Sequence, residues 1–187
     1  MSDGKRRALL AFDPSSTSVG WALAESDRGG FRISSSGTIK PKASLPREVR
    51  ILHIYREVYD LWRKIVLAEA FDEIALVFEE PFTGTGHGQR KFGSKSGQNS
   101  THGEAVWISV GAILSATATF TPDIIIPLNA STVKSAIKAS RLGRDAAKAK
   151  AVEYAQQILR VELTAKETDR ADACAVAVAG WKKWSQQ

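Results

Sequence analysis

The sequence predicts an α/β fold built on a mixed sheet, and three observations lead to this prediction. Short apolar or alternating segments of strand length come first in the chain, and helical patterns alternate with further strands after them. The 187 residues are 43% hydrophobic and 25% charged, an ordinary globular composition that fits one domain. We therefore expect a single domain over residues 1–187, since no internal repeat or linker is visible.

The N-terminal part reads as three strands in an antiparallel meander. The continuously apolar run Ala8–Phe12 ends at Asp13 and Pro14, as in a strand buried on both faces. Segments 19–24 and 31–39 read as two more strands, joined around a pair of glycines. Because the three segments follow one another closely, we expect antiparallel neighbours.

Helices dominate the rest of the chain. After Pro46, apolar residues recur every three or four positions with charged residues between them, which predicts a long amphipathic helix. The apolar run Ile74–Phe78 predicts a buried strand, and it ends in Glu79 and Glu80. Further patterns predict helices at 103–120, 131–139, 145–159 and 168–184, and a strand at 123–128. The first of these helices is apolar on more than one face, which suits contact with a second subunit.

The segment from Pro81 to about His102 is rich in Gly, Ser, Thr and Asn, and we expect it to be a functional or disordered loop. Its glycines fit neither the dinucleotide-binding fingerprint nor a Walker A loop, so no nucleoside triphosphate site is supported. Its cations Arg90, Lys91 and Lys95 suit contact with backbone phosphates. A solvated loop without a ligand is the alternative.

Charge and cysteine content indicate the class of binding partner and the cellular compartment. Twenty-six basic residues against 20 acidic ones give a net charge of +6, which favours a polyanionic partner such as nucleic acid. The single cysteine, Cys174, excludes an internal disulfide and fits a reducing compartment. No apolar run approaches the roughly 18 residues of a membrane span, and the N-terminal apolar stretch is too short for a signal peptide. We expect a cytoplasmic protein that does not contact a membrane.

Acidic residues stand at the ends of three elements that can converge. Asp13 ends one buried strand and Glu79 another, while Asp169 and Asp172 lie three apart at the start of the last helix. Glu79 and Glu80 point to opposite faces of their strand, so only one can join Asp13. Each acid alone could instead be a turn or helix-capping residue.

A cluster of carboxylates has a chemical consequence. Grouped carboxylates repel one another unless a cation neutralises them, and hard divalent cations prefer oxygen ligands. We therefore expect Mg²⁺ or Mn²⁺, as one or two ions per active site. Two such ions can activate a water and stabilise the leaving oxygen in phosphodiester hydrolysis, which is nuclease chemistry.

Four segments resemble the RuvC family of Holliday junction resolvases: LAFDPSS at 10–16, VGWA at 19–22, VFEEPF at 77–82 and DRADA at 169–173. Their order and spacing match along nearly the whole chain. The resemblance implies an RNase H-like fold, a central mixed sheet with helices on both faces. It also implies a homodimer and metal-dependent, symmetric nicking of four-way DNA junctions that leaves a 5′-phosphate. It does not identify a partner helicase.

The resemblance also assigns site residues. The catalytic, metal-binding acids by motif position are Asp13, Glu79, Asp169 and Asp172. The DNA-contacting residues would be Lys134 and Lys148, with Lys138 and Lys150 close by, and Phe82, or alternatively Phe92, would stack near the crossover. The chain departs from the family in having Ser15 after Asp-Pro and in its long Gly-rich connection. These departures affect the approach of the backbone to the metal site and the substrate preference.

Three other functions stay open. The first is a debranching nuclease with broader specificity for flaps and forks, which the long basic loop favours. The second is a junction-binding protein that does not cut DNA. The third, an actin-like or sugar-kinase fragment, is disfavoured by the missing phosphate loops.

Overall fold

The computed structural model describes residues 5–15, 17–27, 30–81, 97–160, 163–164 and 167–186, without the side chains of 97–102 and 159. Within these ranges the chain forms five strands and five helices. The strands are β1 (Arg7–Pro14), β2 (Val19–Asp27), β3 (Gly30–Ile39), β4 (Glu73–Glu79) and β5 (Ile124–Leu128). The helices are α1 (Arg47–Leu67), α2 (Gly97–Thr117), α3 (Ala130–Ala136), α4 (Arg144–Leu159) and α5 (Thr168–Trp184).

The strands form one mixed sheet in the order β3-β2-β1-β4-β5. The first three strands pair antiparallel, and β4 lies parallel to both β1 and β5. The predicted meander and mixed sheet are therefore confirmed. Strand β1 is central, and its interior residues are fully buried because both faces of the sheet are covered.

The alternation of side chains along the strands divides the core into two layers. Leu9 and Ala11 of β1 face one layer, which is completed by α3, α4 and α5. Leu10 and Phe12 face the other layer, which is completed by α1 and α2. The expected helices on both faces are confirmed, and Asp13 shares the parity of Leu9 and Ala11.

Helix α1 shows the predicted amphipathic pattern. Its buried residues recur at three- and four-residue spacing and are Ile54, Val58, Trp62 and Ile65. The indole N–H of Trp62 donates a 2.7 Å hydrogen bond to the carbonyl of Phe120, which joins α1 to the end of the α2 segment. No helix in the described part of the chain is long and apolar enough to cross a membrane.

Helix α2 corrects one sequence-based expectation. It begins at Gly97 rather than at residue 103, and it ends at Thr117 rather than at residue 120. Extending an existing helix requires fixing only one residue per added hydrogen bond, so polar residues ahead of an apolar helix readily join it. The polar composition that predicted a loop as far as His102 was therefore misleading over its last six residues.

Helix α3 ends earlier than predicted, at Ala136. Lys138 adopts a positive φ of 59°, a left-handed conformation that cannot continue a right-handed helix. This turn separates α3 from α4 and leaves both helices packed against α5 in the same core layer.

Candidate active site

Two carboxylates meet at the ends of adjacent parallel strands. Phe12 of β1 is in register with Phe78 of β4, so the next residues along are Asp13 and Glu79. Both have the parity of the layer that contains α5. Glu80 lies just beyond β4, where its N–H donates to the carbonyl of Leu128. The period of the strand therefore selects Glu79, as the sequence predicted.

Helix α5 brings the third and fourth acids to the same end of the sheet. It packs closely on β2, and Gly20 makes this possible. A Cβ built on Gly20 would lie only 1.9 Å from the backbone oxygen of Asp169, so no side chain fits there. Gly20 is the register partner of Asp13, which puts the first turn of α5 directly beside that acid.

Asp169 and Asp172 have different surroundings although they lie on one helix. Asp169 accepts a 2.6 Å hydrogen bond from the hydroxyl of Ser18 in the turn between β1 and β2. Ser18 is nearly fully buried, and its N–H is bonded to the hydroxyl of Ser15. Asp172 lies one turn further along α5 and faces a cavity together with Asp13 and Glu79.

This acidic cavity has a volume of about 170 Å³. Its charged lining residues are Asp13, Glu79, Asp172, Lys134, Lys148 and Arg144. The rest of its wall is apolar and comes from α3, α4 and α5. Three carboxylates and three cations thus surround one small space at the end of the parallel strands.

The environment raises the pKa of the carboxyl groups that line the acidic cavity. Burial, followed by repulsion from Asp172, Glu79 and Asp169, raises the pKa of Asp13 well above its ordinary value. Burial and repulsion from Asp172 raise the pKa of Glu79 to about 7. Burial is also the main reason that the pKa of Asp172 rises to about 6. All four predicted acids therefore interact electrostatically.

Lysines partly offset this repulsion. Lys148 lowers the pKa of both Asp13 and Asp172, and Lys134 lowers that of Glu79. The two neighbouring candidates from the sequence differ: Lys150 forms an ion pair with Glu153, and Lys138 occupies the turn after α3. Lys134 and Lys148, not their neighbours, are the lysines that line the acidic cavity.

Sequence reasoning missed Arg144, the first residue of α4 and part of the cavity lining. A signal for it exists, because Arg144 precedes Lys148 by four residues and must share its face of the helix. The remaining DNA-binding candidates are outside the described residues. These are Phe82, Arg90, Lys91 and Lys95, together with the alternative Phe92.

The chemistry of the cavity suits a hard divalent cation, because its anionic donors are carboxylate oxygens whose mutual repulsion a cation would relieve. As placed, however, no three His, Cys, Asp or Glu side chains among the described residues are close enough together to hold one ion. Asp169 is hydrogen-bonded to Ser18 instead. The donor set thus fits a metal, while its side chains are not gathered around one.

Comparison with protein-family models gives no match, and comparison with curated proteins gives none either. Solved structures do match. Thermus thermophilus RuvC is similar over 96% of each chain, with 17% identity and a TM-score of 0.66. The same protein in complex with a Holliday junction substrate is similar over 96% of this chain and 95% of that one, with 16% identity and a TM-score of 0.69.

A third structure extends the likeness. The yeast mitochondrial Holliday junction resolvase Ydc2 is similar over 95% of this chain and 78% of that one, with 11% identity and a TM-score of 0.51. The resemblance expected from the sequence motifs is therefore confirmed at the level of architecture. Over nearly its whole length, this chain has a fold similar to that of RuvC and of other Holliday junction resolvases.

Proposed function

We propose that this protein is a metal-dependent endodeoxyribonuclease that resolves four-way DNA junctions by paired, symmetric nicks. The observation that supports this most strongly is the acidic cavity. Asp13, Glu79 and Asp172 line it with raised pKa values, at the position on a RuvC-like sheet where the motifs predict catalytic acids. Perturbed acids in a cleft are a physical indicator of a functional site, more so when three elements contribute them.

The carboxylates Asp13, Glu79, Asp169 and Asp172 would hold one or two Mg²⁺ or Mn²⁺ ions. A bound divalent cation supplies water activation and stabilisation of the leaving oxygen in phosphodiester hydrolysis. For Asp169 to bind such an ion as well, its carboxylate would have to share between the ion and Ser18 the oxygen that now accepts the hydrogen bond from the Ser18 hydroxyl. Burial keeps these oxygens in a low-dielectric surrounding, where their interaction with a cation is strong.

The cations of the cavity would position the substrate. Lys134, Lys148 and Arg144 line the acidic cavity together with the carboxylates. A backbone phosphate brought between the two groups would be attracted by the lysines and repelled by the acids until a cation neutralises them. This arrangement makes productive binding depend on the metal, which limits unproductive contact with DNA.

A homodimer is part of the proposal because a junction has two strands to cut. The side chains of Trp107 and Ile108 on α2 are 41% and 38% exposed and lie next to each other in the chain. A twofold axis through α2 would cover them and give the assembly two acidic cavities. Sedimentation analysis of the full chain, with Trp107→Ser as the disrupting variant, tests this part.

A junction-binding protein that does not cut is the second candidate. It is favoured by one observation: among the described side chains no group of three is gathered for a metal. The discriminating experiment compares four-way, flap, fork and linear duplex substrates side by side in Mg²⁺ and in EDTA. Paired nicks confined to four-way junctions support resolution, and nicks on every branched substrate support the broader debranching nuclease. Binding in EDTA with no cleavage in Mg²⁺ or Mn²⁺ refutes the nuclease.

Variants make this experiment specific. Asp13→Asn is expected to abolish nicking while junction binding persists, because it removes a donor and also relieves repulsion of the phosphates. Asp60→Asn is the matched control, since Asp60 is an exposed acid of α1 in the opposite layer. Equal loss in both variants would contradict a specific role for Asp13.

A further inference from the structure

A second cavity, which we call the arginine cavity, lies beside the turn that follows β1. It has a volume of about 250 Å³, and its lining residues are Thr17, Arg47, Arg50, Ile51, Ile54, Ala105 and Ser109. This volume is many times the space that one water needs. The cavity lies between the first turns of α1 and the middle of α2, in the layer opposite the acidic cavity.

Arg50 has a buried donor without an acceptor. Its Nε atom is shielded from solvent, and no side-chain or backbone group in the described chain accepts a hydrogen bond from it. A buried, unpaired donor on a charged group is costly, and in a folded protein it calls for a physical explanation, such as strain or a bound water, ion or ligand. The Arg50 side chain also lines the arginine cavity, and guanidinium groups bind oxyanions through two parallel hydrogen bonds.

The surroundings of the arginine cavity favour an anion. Arg47 and Arg50 lie one turn apart at the start of α1, whose first turn also carries the exposed Glu48. Pro46 precedes the helix and provides no side-chain cap, so the positive end of α1 has no capping acceptor from that residue. Neither Asp nor Glu lines the cavity.

The turn between β1 and β2 connects the two cavities physically. On one side, the Ser109 hydroxyl donates a 3.0 Å hydrogen bond to the backbone oxygen of Ser15, and both Ser109 and Thr17 line the arginine cavity. On the other side, Ser18 donates to Asp169 of the acidic cluster. Along the chain, only the few residues of this turn therefore separate the hydrogen bonds that contact the two sites.

We propose that the arginine cavity is a phosphate-binding subsite, with Arg47 and Arg50 as its ligands, and that its occupant is a backbone phosphate of a bound DNA strand. Arg50 contributes its guanidinium group, and the exposed Arg47 contributes a second positive charge. The identity of the occupant rests on the proposed function, whereas binding of a phosphate group does not. The subsite fixes the strand near the acidic cavity and has no part in bond cleavage.

The experiment uses the full chain in two arms. In the first, inorganic phosphate is added at constant ionic strength, and thermal unfolding is followed for the wild type, Arg47→Gln, Arg50→Gln and Arg50→Lys. In the second, binding of a labelled four-way junction is measured by anisotropy in EDTA over a range of salt concentrations. The matched control is Arg63→Gln, an exposed arginine of α1 that lies roughly 24 Å along the helix from Arg47.

We expect phosphate to raise the melting temperature of the wild type and of Arg63→Gln but not of the glutamine variants of Arg47 and Arg50. Junction affinity should fall about tenfold in the latter two, and the slope of log K against log salt should decrease by about one. Arg50→Lys keeps the charge but not the Nε donor, so it should recover only part of the affinity.

Equal behaviour of the Arg47, Arg50 and Arg63 variants in both arms overturns the subsite. If Arg50→Gln fails to fold, as judged by circular dichroism, the test rests on Arg47→Gln, because Arg47 is exposed. Wild-type behaviour of Arg47→Gln in both arms then overturns the subsite. The two proposals fail separately. A phosphate response that needs the arginines, in a chain that neither binds nor cuts junctions, preserves the anion site and refutes the nuclease. Junction cleavage unaffected by either arginine variant, without a phosphate response, refutes only the subsite.

Discussion

The hydroxyl of Ser18 donates a 2.6 Å hydrogen bond to Oδ2 of Asp169, although 151 residues separate the two in the chain. The bond joins the turn after β1 to the first turn of α5, the two elements that deliver Asp13 and Asp172 to the acidic cavity. Ser18 is 5% exposed, so water does not compete effectively for this bond. The bond therefore fixes the position of α5 relative to the turn after β1 in the candidate site.

Ser18→Ala is expected to lower the free energy of unfolding by about 1 to 3 kcal/mol, the usual cost of removing a buried partner from a charged group. Urea unfolding at pH 8 measures this change. Junction nicking should fall as well, because α5 loses an anchor beside Asp172. Ser34→Ala is the control, since Ser34 is exposed on β3 and its hydroxyl donates a hydrogen bond to the backbone oxygen of Leu23. Equal stability of the two variants would refute the anchoring role.

Gly20→Ala should be among the most damaging small substitutions in the chain. The new Cβ would overlap the backbone oxygen of Asp169 at 1.9 Å, and backbone cannot move aside as a flexible side chain does. We expect α5 to be displaced, with a stability loss of about 1 to 3 kcal/mol and loss of nicking.

Gly111→Ala is the control for this substitution. A Cβ at Gly111 meets nothing within 4 Å, and the residue lies inside helix α2, where alanine is favoured by up to about 1 kcal/mol. Thermal unfolding should thus move in opposite directions for the two variants. A Gly20→Ala variant as stable as the wild type would mean that α5 does not approach β2 this closely in solution.

Much of the fold and part of the site could be predicted from local patterns. Strand alternation with a period of two is a local property, so it showed that only one of Glu79 and Glu80 can join Asp13, and the position in the motif selected Glu79. Helical spacing correctly placed Asp169 and Asp172 on one helix. It did not predict that Asp169 bonds to Ser18 whereas Asp172 faces the cavity, because that division depends on how the helix is seated on Gly20.

The arginine cavity could not be predicted at all. It forms where α1, α2 and the turn after β1 meet, and Arg47 and Arg50 look in sequence like the solvated side of an amphipathic helix. Only tertiary packing shows that the Nε of Arg50 is buried without an acceptor. The start of α2 was missed for a related reason, since its polar first residues resemble a loop when composition is considered without the helix that follows.

Stability should decrease with rising pH in the absence of divalent cations. Burial raises the pKa of Glu79 to about 7 and that of Asp172 to about 6, so the folded chain binds more protons than the unfolded chain below these values. The free energy of unfolding then falls as pH increases from about 5 through 7. The lowered pKa of Glu73 acts oppositely, but only as pH falls below the ordinary glutamate value.

Urea unfolding in EDTA at several pH values between 5 and 8 measures this slope. Glu79→Gln removes the group with the higher pKa and should flatten the upper part of the curve. Glu57→Gln, an exposed residue of α1, should leave the curve unchanged. A wild-type stability that is constant or rises through this window would contradict the raised pKa values.

Lys148 should set the pH dependence of the proposed activity. Its ammonium group lowers the pKa of both Asp13 and Asp172, so Lys148→Gln removes a favourable charge from two acids at once. In a plot of nicking rate against pH, we expect the acidic limb to shift to higher pH by about one unit. Lys150→Gln is the control, because Lys150 pairs with Glu153 outside the acidic cavity. A uniform rate decrease without a shift of the limb would assign Lys148 to DNA contact alone.

Asp13→Asn should make the metal-free protein more stable while it removes the response to divalent cations. Burial and three neighbouring carboxylates raise the pKa of Asp13, so its ionised form is unfavourable at pH 8, and a neutral amide of the same shape relieves that cost. In the wild type, Mg²⁺ or Mn²⁺ should raise the melting temperature by neutralising the cluster, and EDTA should reverse the effect. The response should weaken below about pH 7, where protons compete at Glu79. Thermal unfolding of wild type, Asp13→Asn and Asp60→Asn with and without the ions measures both effects. If Asp13→Asn melts below the wild type in EDTA, or responds equally to Mg²⁺, the acids at this sheet edge do not form a cation site.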